Sequence, residues 1–184
     1  MAIVLASQSP RRQELLARIG VEDFKTLSLD IDESYPEGLS PEDTVRYIAK
    51  KKCDAAAALC APDDLIITAD TMVFLDNDRL GKPRDEEDAL RMLRALSGRG
   101  HTVCTGVSVR RGAQEERFAV STRVFFRPMT DDEIRAYIKT GEPMDKAGAY
   151  GVQSRGALFV ERIDGDFFNV MGLPVEQLGL VLAR

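Results

Sequence analysis

Three stretches of the chain carry side chains that neither an apolar core nor a solvated surface asks for. TADTMVFLDNDRLGKP, residues 68–83, sets Asp70 and Thr71 inside an otherwise apolar strand. An ionised carboxylate in such a place must be paired, hydrogen-bonded or bound to a cation. Lys82 follows within reach in a Gly-Lys-Pro turn and, as a point charge, can hold a phosphate. DIDESYPEG, residues 30–38, brings a second acidic group, Asp32 and Glu33, in a loop after a short apolar stretch. Two carboxylates from different segments, Asp70 and Glu33, can together hold a hard cation such as Mg²⁺ through oxygen.

The third stretch is LASQSPRRQELLARIG, residues 5–20, which puts Ser7, Ser9, Arg11 and Arg12 at the mouth of an apolar-periodic run. Ser9 suits an N-cap and Pro10 the first helical position, and Leu15, Leu16 and Ile19 form a stripe that ends at Gly20. The macrodipole makes a helix start partly positive, so two arginines there work against it unless an anion is bound. Free N–H groups, two hydroxyls and two guanidiniums converging at one point describe a phosphate site.

Other clusters are more ambiguous. KKK at 50–52 reads as a solvated helix face for two of its lysines, leaving one to point inward. DKAGAYGVQSRGALFVERIDGD, residues 145–166, offers glycines for close backbone approach to a ligand, with Lys146 as a charge and Gln153 as a two-way amide. It lacks the spacing of a Walker loop or a dinucleotide fingerprint. His101 is the only histidine and no G-x-S-x-G elbow is present, so a Ser-His-Asp triad is not supported and His101 reads as structural.

The elements that must position these groups alternate in type. IVLA (3–6) and LIITADTMVFL (65–75) read as buried strands, and Ser40-Pro41 opens a long helix between them. Asp85 caps a helix carrying Leu90, Leu93 and Leu96, and residues 101–111 and 116–128 form a hairpin. Thr130 to Glu133 is a capping box for a helix ending near Gly141. A Gly-rich strand region follows, then a terminal helix after Pro174. Buried strands mixed with hairpin strands and helices imply an α/β protein with a mixed twisted sheet and flanking helices.

With 184 residues, 44% of them hydrophobic, the chain has enough core for one large domain or two tightly associated lobes. A net charge of −5 argues against a broad nucleic-acid surface, so the local basic clusters point to small anionic ligands. No apolar run approaches the roughly 20 residues that span a bilayer, and MAIVLASQS has no basic region ahead of a cleavable segment, which makes the cytoplasm the expected address. Cys53, Cys60 and Cys104 are odd in number and lack zinc spacing, so they read as reduced core thiols.

Taken in order, LASQSPRRQELL, the DES loop, TADTMVFLDNDRLGKP, LSGRGHTVCTGVSV, GEPMDKAGAYGVQ and GDFFNVMGLP resemble the Maf family of nucleoside triphosphate pyrophosphatases over nearly the whole chain. The AGAYGVQ form, with Gln153, is similar to the branch acting on dTTP and UTP. The resemblance implies one Maf-like domain over 1–184 with an inosine triphosphate pyrophosphatase-like fold, two lobes around a cleft. It also implies a divalent cation, Mg²⁺ or Mn²⁺, and cleavage to a nucleoside monophosphate and pyrophosphate. Asp70 takes the place of the family's proposed proton acceptor, and Arg11, Thr71 and Gln153 bear on substrate choice. Ser154 and Arg155 depart from the family pattern, which usually continues with Gly after the Gln.

Attack by water on the α-phosphorus needs a base or metal to generate the nucleophile, and cations to stabilise the developing charge. Asp70 and Glu33 fit the first need, and Arg11, Arg12, Lys52 and Lys82 the second. Two other readings stand beside this one. The same fold can act on a purine or methylated guanine nucleotide, although no Trp supplies the largest aromatic platform. A non-catalytic nucleotide sensor linked to division would bind UTP without turning it over. The expected partner is a nucleoside triphosphate, with neither nucleic acid nor membrane, and a homodimer is compatible with the sequence.

Overall fold

The computed structural model describes residues 1–184. In chain order the elements are β1 (Ile3–Leu5), α1 (Pro10–Arg18), β2 (Phe24–Thr26), α2 (Pro41–Ala57), β3 (Leu65–Leu75), β4 (Asp78–Leu80), α3 (Glu86–Leu96), β5 (Gly100–Arg111), β6 (Gln114–Phe126), α4 (Asp131–Ile138), β7 (Val160–Asp164), α5 (Phe167–Met171) and α6 (Val175–Leu182). The seven strands form one sheet in the order β2-β1-β3-β5-β6-β7, with β4 paired to β3. β1 runs parallel to β2 and to β3, whereas β4 is antiparallel to β3 and β7 to β6, so the sheet is mixed as expected. No helix is long and apolar enough to cross a membrane.

The chain divides into two compact units. The first comprises Met1–Thr71, Thr105–Val120 and Gly172–Arg184, and the second Met72–Cys104 and Ser121–Met171. Three of the four boundaries fall inside β3, β5 and β6, so each of these strands contributes residues to both, and the fourth follows α5. The core of the first unit joins Leu5 and Ile67 to Leu15 and Leu16 of α1 and to Val45, Ile48 and Ala49 of α2, all buried. The second gathers Leu90, Leu93 and Leu96 of α3, Val124 and Phe126 of β6, and Ile134, Tyr137 and Ile138 of α4.

Local chemistry accounts for the helix starts. The Ser40 hydroxyl accepts from Asp43 N–H, Asp85 from Asp88 N–H, and Thr130 and Glu133 complete a reciprocal capping box. α1 departs from the pattern. Ser9 stands at the N-cap but makes no side-chain cap bond, and its own N–H donates to Ser7 Oγ at 3.2 Å. The helix ends at Arg18, so Ile19, expected on the apolar stripe, lies exposed at the C-cap.

Two expectations need correction. The Gly-rich region expected as strand is mostly 3₁₀ turns, Glu142–Asp145, Ala147–Ala149 and Arg155–Phe159, and only Val160–Asp164 pairs with β6. Gly148 (φ 71°) and Ala149 (φ 63°) take left-handed backbone that cannot continue a strand, and a Cβ on Gly148 would stand 2.8 Å from Val73. Cys53 and Cys104 are buried free thiols, but Cys60 is only half-buried.

Candidate active site

All of the acidic chemistry foreseen for the site is collected in the first unit, around the middle of β3. Side chains two apart on a strand share a face. Thr68 and Asp70 both meet α2: Thr68 Oγ1 donates to Ala49 O at 2.7 Å, and Lys52 Nζ donates to Asp70 Oδ1 at 2.8 Å. α2 in turn lies directly on β5. A Cβ on Gly106 would fall 2.3 Å from the Val45 carbonyl carbon, so the helix backbone comes to the strand at a distance only glycine permits.

Lys52 is the inward lysine of the KKK run, and its ammonium also lies 2.9 Å from Glu33 Oε1. One cation thus joins the two carboxylates expected to act together. Asp70 is buried, with its side chain 9% exposed, while Glu33 is 58% exposed, so the pair combines a desolvated and a solvated acid. Asp70 Oδ2 is buried without any hydrogen-bond partner. The other two lysines face outward. Lys50 pairs with Asp54, and Lys51 donates to Ser34 O at 3.0 Å and stands 3.6 Å from Asp32.

Thr71 sits one residue further along β3 and engages a different set of partners. Its hydroxyl lies 2.8 Å from Thr105 Oγ1 on β5 and accepts from Arg12 at 3.0 Å. Arg12 also donates to Gly172 O at 2.8 Å and to Ser7 Oγ at 3.3 Å. Burial lowers the Arg12 pKa, and the nearby charge of Asp70 opposes that shift. The arginine pair is therefore not wholly reserved for a ligand, as the sequence implied: Arg12 ties α1 to β3 and to the segment before α6, whereas Arg11 lies beside it at the helix start.

The remaining expected site residues belong to the second unit. Lys82 is exposed in the Gly81–Pro83 turn, which is fixed by Gly148 N–H donating to Gly81 O at 3.1 Å. Lys146 is turned inward, its ammonium donating to Glu142 O and to Asp145 Oδ1, each at 2.8 Å. Gln153 is exposed in the turn between the second and third 3₁₀ segments. His101 is structural, as read: it is buried, with Nε2 2.7 Å from Tyr150 Oη, and burial and the charge of Arg123 lower its pKa to about 3.

A family model described as Maf-like protein matches residues 2–184. The chain belongs to the Maf family. This Maf chain is 49% identical to a dTTP/UTP pyrophosphatase of Bacillus velezensis over 94% of its length and 90% of the relative's. It is 46% identical to one of Pelotomaculum thermopropionicum, covering 99% and 95%, and 45% identical to one of Bacteroides thetaiotaomicron, covering 96% and 92%. Among solved structures it is similar to a HAM1 protein from Coxiella burnetii (TM-score 0.55, 16% identity, 100% and 99% of the two chains) and to the Staphylococcus aureus Ham1 protein (0.56, 14%, 100% and 98%). At those identities the likeness is one of fold, and it agrees with the α/β fold expected for the Maf family.

Two residues that meet Thr71 and Arg12 had no assigned role in the sequence. Thr105 was visible only as a polar residue in the apolar run TVCTGVSV. Gly172, in GDFFNVMGLP, has φ 121° and leaves Arg12 and Thr71 3.6 Å from the place of its missing Cβ. A glycine beside two polar partners was the available signal, but it says nothing about which partners.

Proposed function

We propose that this chain hydrolyses dTTP and UTP at the α–β phosphoanhydride bond, releasing the nucleoside monophosphate and pyrophosphate. The observation that carries the chemistry is Asp70, a buried carboxylate held by Lys52 through one oxygen while the other has no partner. The substrate class rests on the relatives named dTTP/UTP pyrophosphatase at 45–49% identity over nearly the whole chain.

In this reading a water attacks the α-phosphorus, the new P–O bond replaces the bond to the bridging oxygen, which leaves with pyrophosphate, and the water's proton passes to the Asp70 carboxylate. Lys52 holds Asp70 and Glu33 in one place. Ser7, Ser9, Arg11, Arg12 and Lys82 receive the triphosphate and stabilise the leaving pyrophosphate, with Lys146 supporting the Gln153 turn. Thr71 and Gln153 address the base.

The donor set fits a hard divalent cation, Mg²⁺ or Mn²⁺. Asp70 Oδ2 is an unpaired buried oxygen, and Glu33 reaches the same ammonium. No three His, Cys, Asp or Glu side chains group into a closed cage, which suits a cation bound through one or two carboxylates, water and substrate phosphates. When bound, such a cation would neutralise triphosphate charge and polarise the scissile bond.

The test is hydrolysis of a panel of UTP, dTTP, CTP, GTP and ATP, with products separated, in Mg²⁺, in Mn²⁺ and in chelator. The expected result is uridine and thymidine monophosphates plus pyrophosphate, abolished by chelation. Diphosphate plus orthophosphate, or a purine preference, overturns the reading.

A further inference from the structure

Gln153 sits in a turn with no regular secondary structure to hold it, and the side chain that holds that turn is one to which the sequence assigned no role. Glu142 lies half-buried just after α4. Its Oε1 accepts from Arg155 N–H at 3.2 Å and its Oε2 from Gly156 N–H at 3.3 Å. The Ser154 hydroxyl and the Tyr137 phenol also bond to it. Tyr137 is buried on α4, and its oxygen accepts from Gly151 N–H at 3.1 Å, so one carboxylate and one phenol fix both ends of residues 151–156.

Close packing leaves this arrangement no slack on its inner side. A Cβ on Gly156 would fall 2.4 Å from Gly151 O and 2.9 Å from the Tyr137 oxygen, and one on Gly151 would fall 2.8 Å from Lys146 Cε. Lys146 is itself tied to Glu142 O. The outer side is open. A cavity of about 690 Å³, lined by Ala136, Lys139, Thr140, Glu142, Ser154 and Arg155, borders the same contacts. The Glu142 bonds stand between the turn and that space.

We infer that Glu142 is the positioning residue for base selection, clamping the turn that presents Gln153; this rests on the reading that Gln153 addresses the base. Ser154 and Arg155, the departures from the family pattern, are part of the clamp: one gives its hydroxyl and the other its backbone N–H. Burial pushes the Glu142 carboxyl up, yet the bonds from Ser154, Tyr137 and Arg155 N–H and the charge of Lys146 hold it below the usual carboxylate range, as a carboxylate facing four donors should be.

Glu142→Gln keeps the volume but turns an NH₂ group toward a row of donors, so one bond becomes a repulsion. Displacing a reading group by about 1 Å costs up to about a hundredfold, so the ratio of kcat/KM for UTP over CTP should fall by about tenfold to a hundredfold in Glu142→Gln and by less in Ser154→Ala. The loss should lie in discrimination and not in a common factor across UTP, dTTP, CTP and GTP, and amide exchange at Arg155 and Gly156 should quicken. The double variant Glu142→Gln/Gln153→Ala should discriminate no worse than Gln153→Ala alone.

A common fall for all four nucleotides in Glu142→Gln, or an unchanged ratio in folded Ser154→Ala with unchanged exchange, overturns the clamp while Gln153→Ala still abolishes discrimination. If Gln153→Ala itself leaves discrimination intact, the reading of Gln153 fails instead.

Discussion

Replacing Lys52 by Met removes the cation from between two carboxylates while keeping most of the buried alkyl chain. The two halves of the pair respond differently. Glu33 is more than half exposed, and losing its contact costs at most about 1 kcal/mol, the range of surface pairs. Asp70 is 9% exposed and loses its only strong counter-charge, in the regime where breaking a buried pair costs about 3–5 kcal/mol. The low end is appropriate because the Arg12 charge still acts on Asp70. A loss of about 3 kcal/mol in a chain of this size corresponds to a fall in Tm of roughly 6–12 °C. The assay is a double-mutant cycle by urea and thermal denaturation at pH 7 with Lys52→Met, Asp70→Asn and the combination. With Asp70 neutral, the lysine substitution should cost about 1 kcal/mol, a coupling of about 2 kcal/mol. Turnover should fall at least about a hundredfold in both single variants, the usual contribution of a positioned base. Additive stability effects, or a folded Asp70→Asn that retains near-parental turnover, would refute the assignment.

The other predictions concern Arg12 and His101. Arg12→Ala removes three hydrogen bonds, to Thr71 on β3, to Gly172 and to Ser7, so the ligand-free protein should lose about 1–3 kcal/mol, read by denaturation, and the stabilisation given by added UTP should shrink as well. Unchanged stability without ligand would return Arg12 to a purely ligand-binding role. His101 has a folded pKa of about 3, below its unfolded value, so the unfolded chain binds the extra proton first. Its contribution is complete above the unfolded pKa of about 6.5 and is lost as the pH falls toward 3, at about 1.4 kcal/mol per pH unit. His101→Gln should flatten the acid decline of stability between pH 6 and 4 by about that slope, and an unaltered decline would show that His101 is protonated in the native state.

Much of the scaffold was legible because it is built from long periodic segments with explicit caps. The bounds of β3 and the starts of α2, α3 and α4 follow from Leu65–Leu75, Ser40-Pro41, Asp85 and the Thr130–Glu133 box. β2 and β4 were not, since three residues are too few for an alternation to register, and β4 depends on a left-handed Asp76 in the turn after β3. In the site, the identity of Asp70 was legible from its cost inside an apolar strand. Its pairing with Lys52 was not, because which of three consecutive lysines turns inward is set by how α2 docks on β3. The inward turn of Arg12 and the 3₁₀ path of residues 142–159 escaped for the same reason: both are decided by distant partners, Gly172 and Val73.

The backbone contact at Gly106 has a consequence for how this half of the molecule tolerates change. At Gly106 α2 is seated against β5 by main-chain atoms, so at that point its height above the sheet is set by the thickness of two backbones. Lys52 follows Val45 by two turns, so it inherits that seating. Ile48, Ala49 and Cys53 fill the adjacent core, and their packing adds to how tightly the helix is held. Any side chain at Gly106 would have to lift α2 from β5, and with it the lysine that faces Asp70, so a residue far from the carboxylate in sequence bears on where its partner stands.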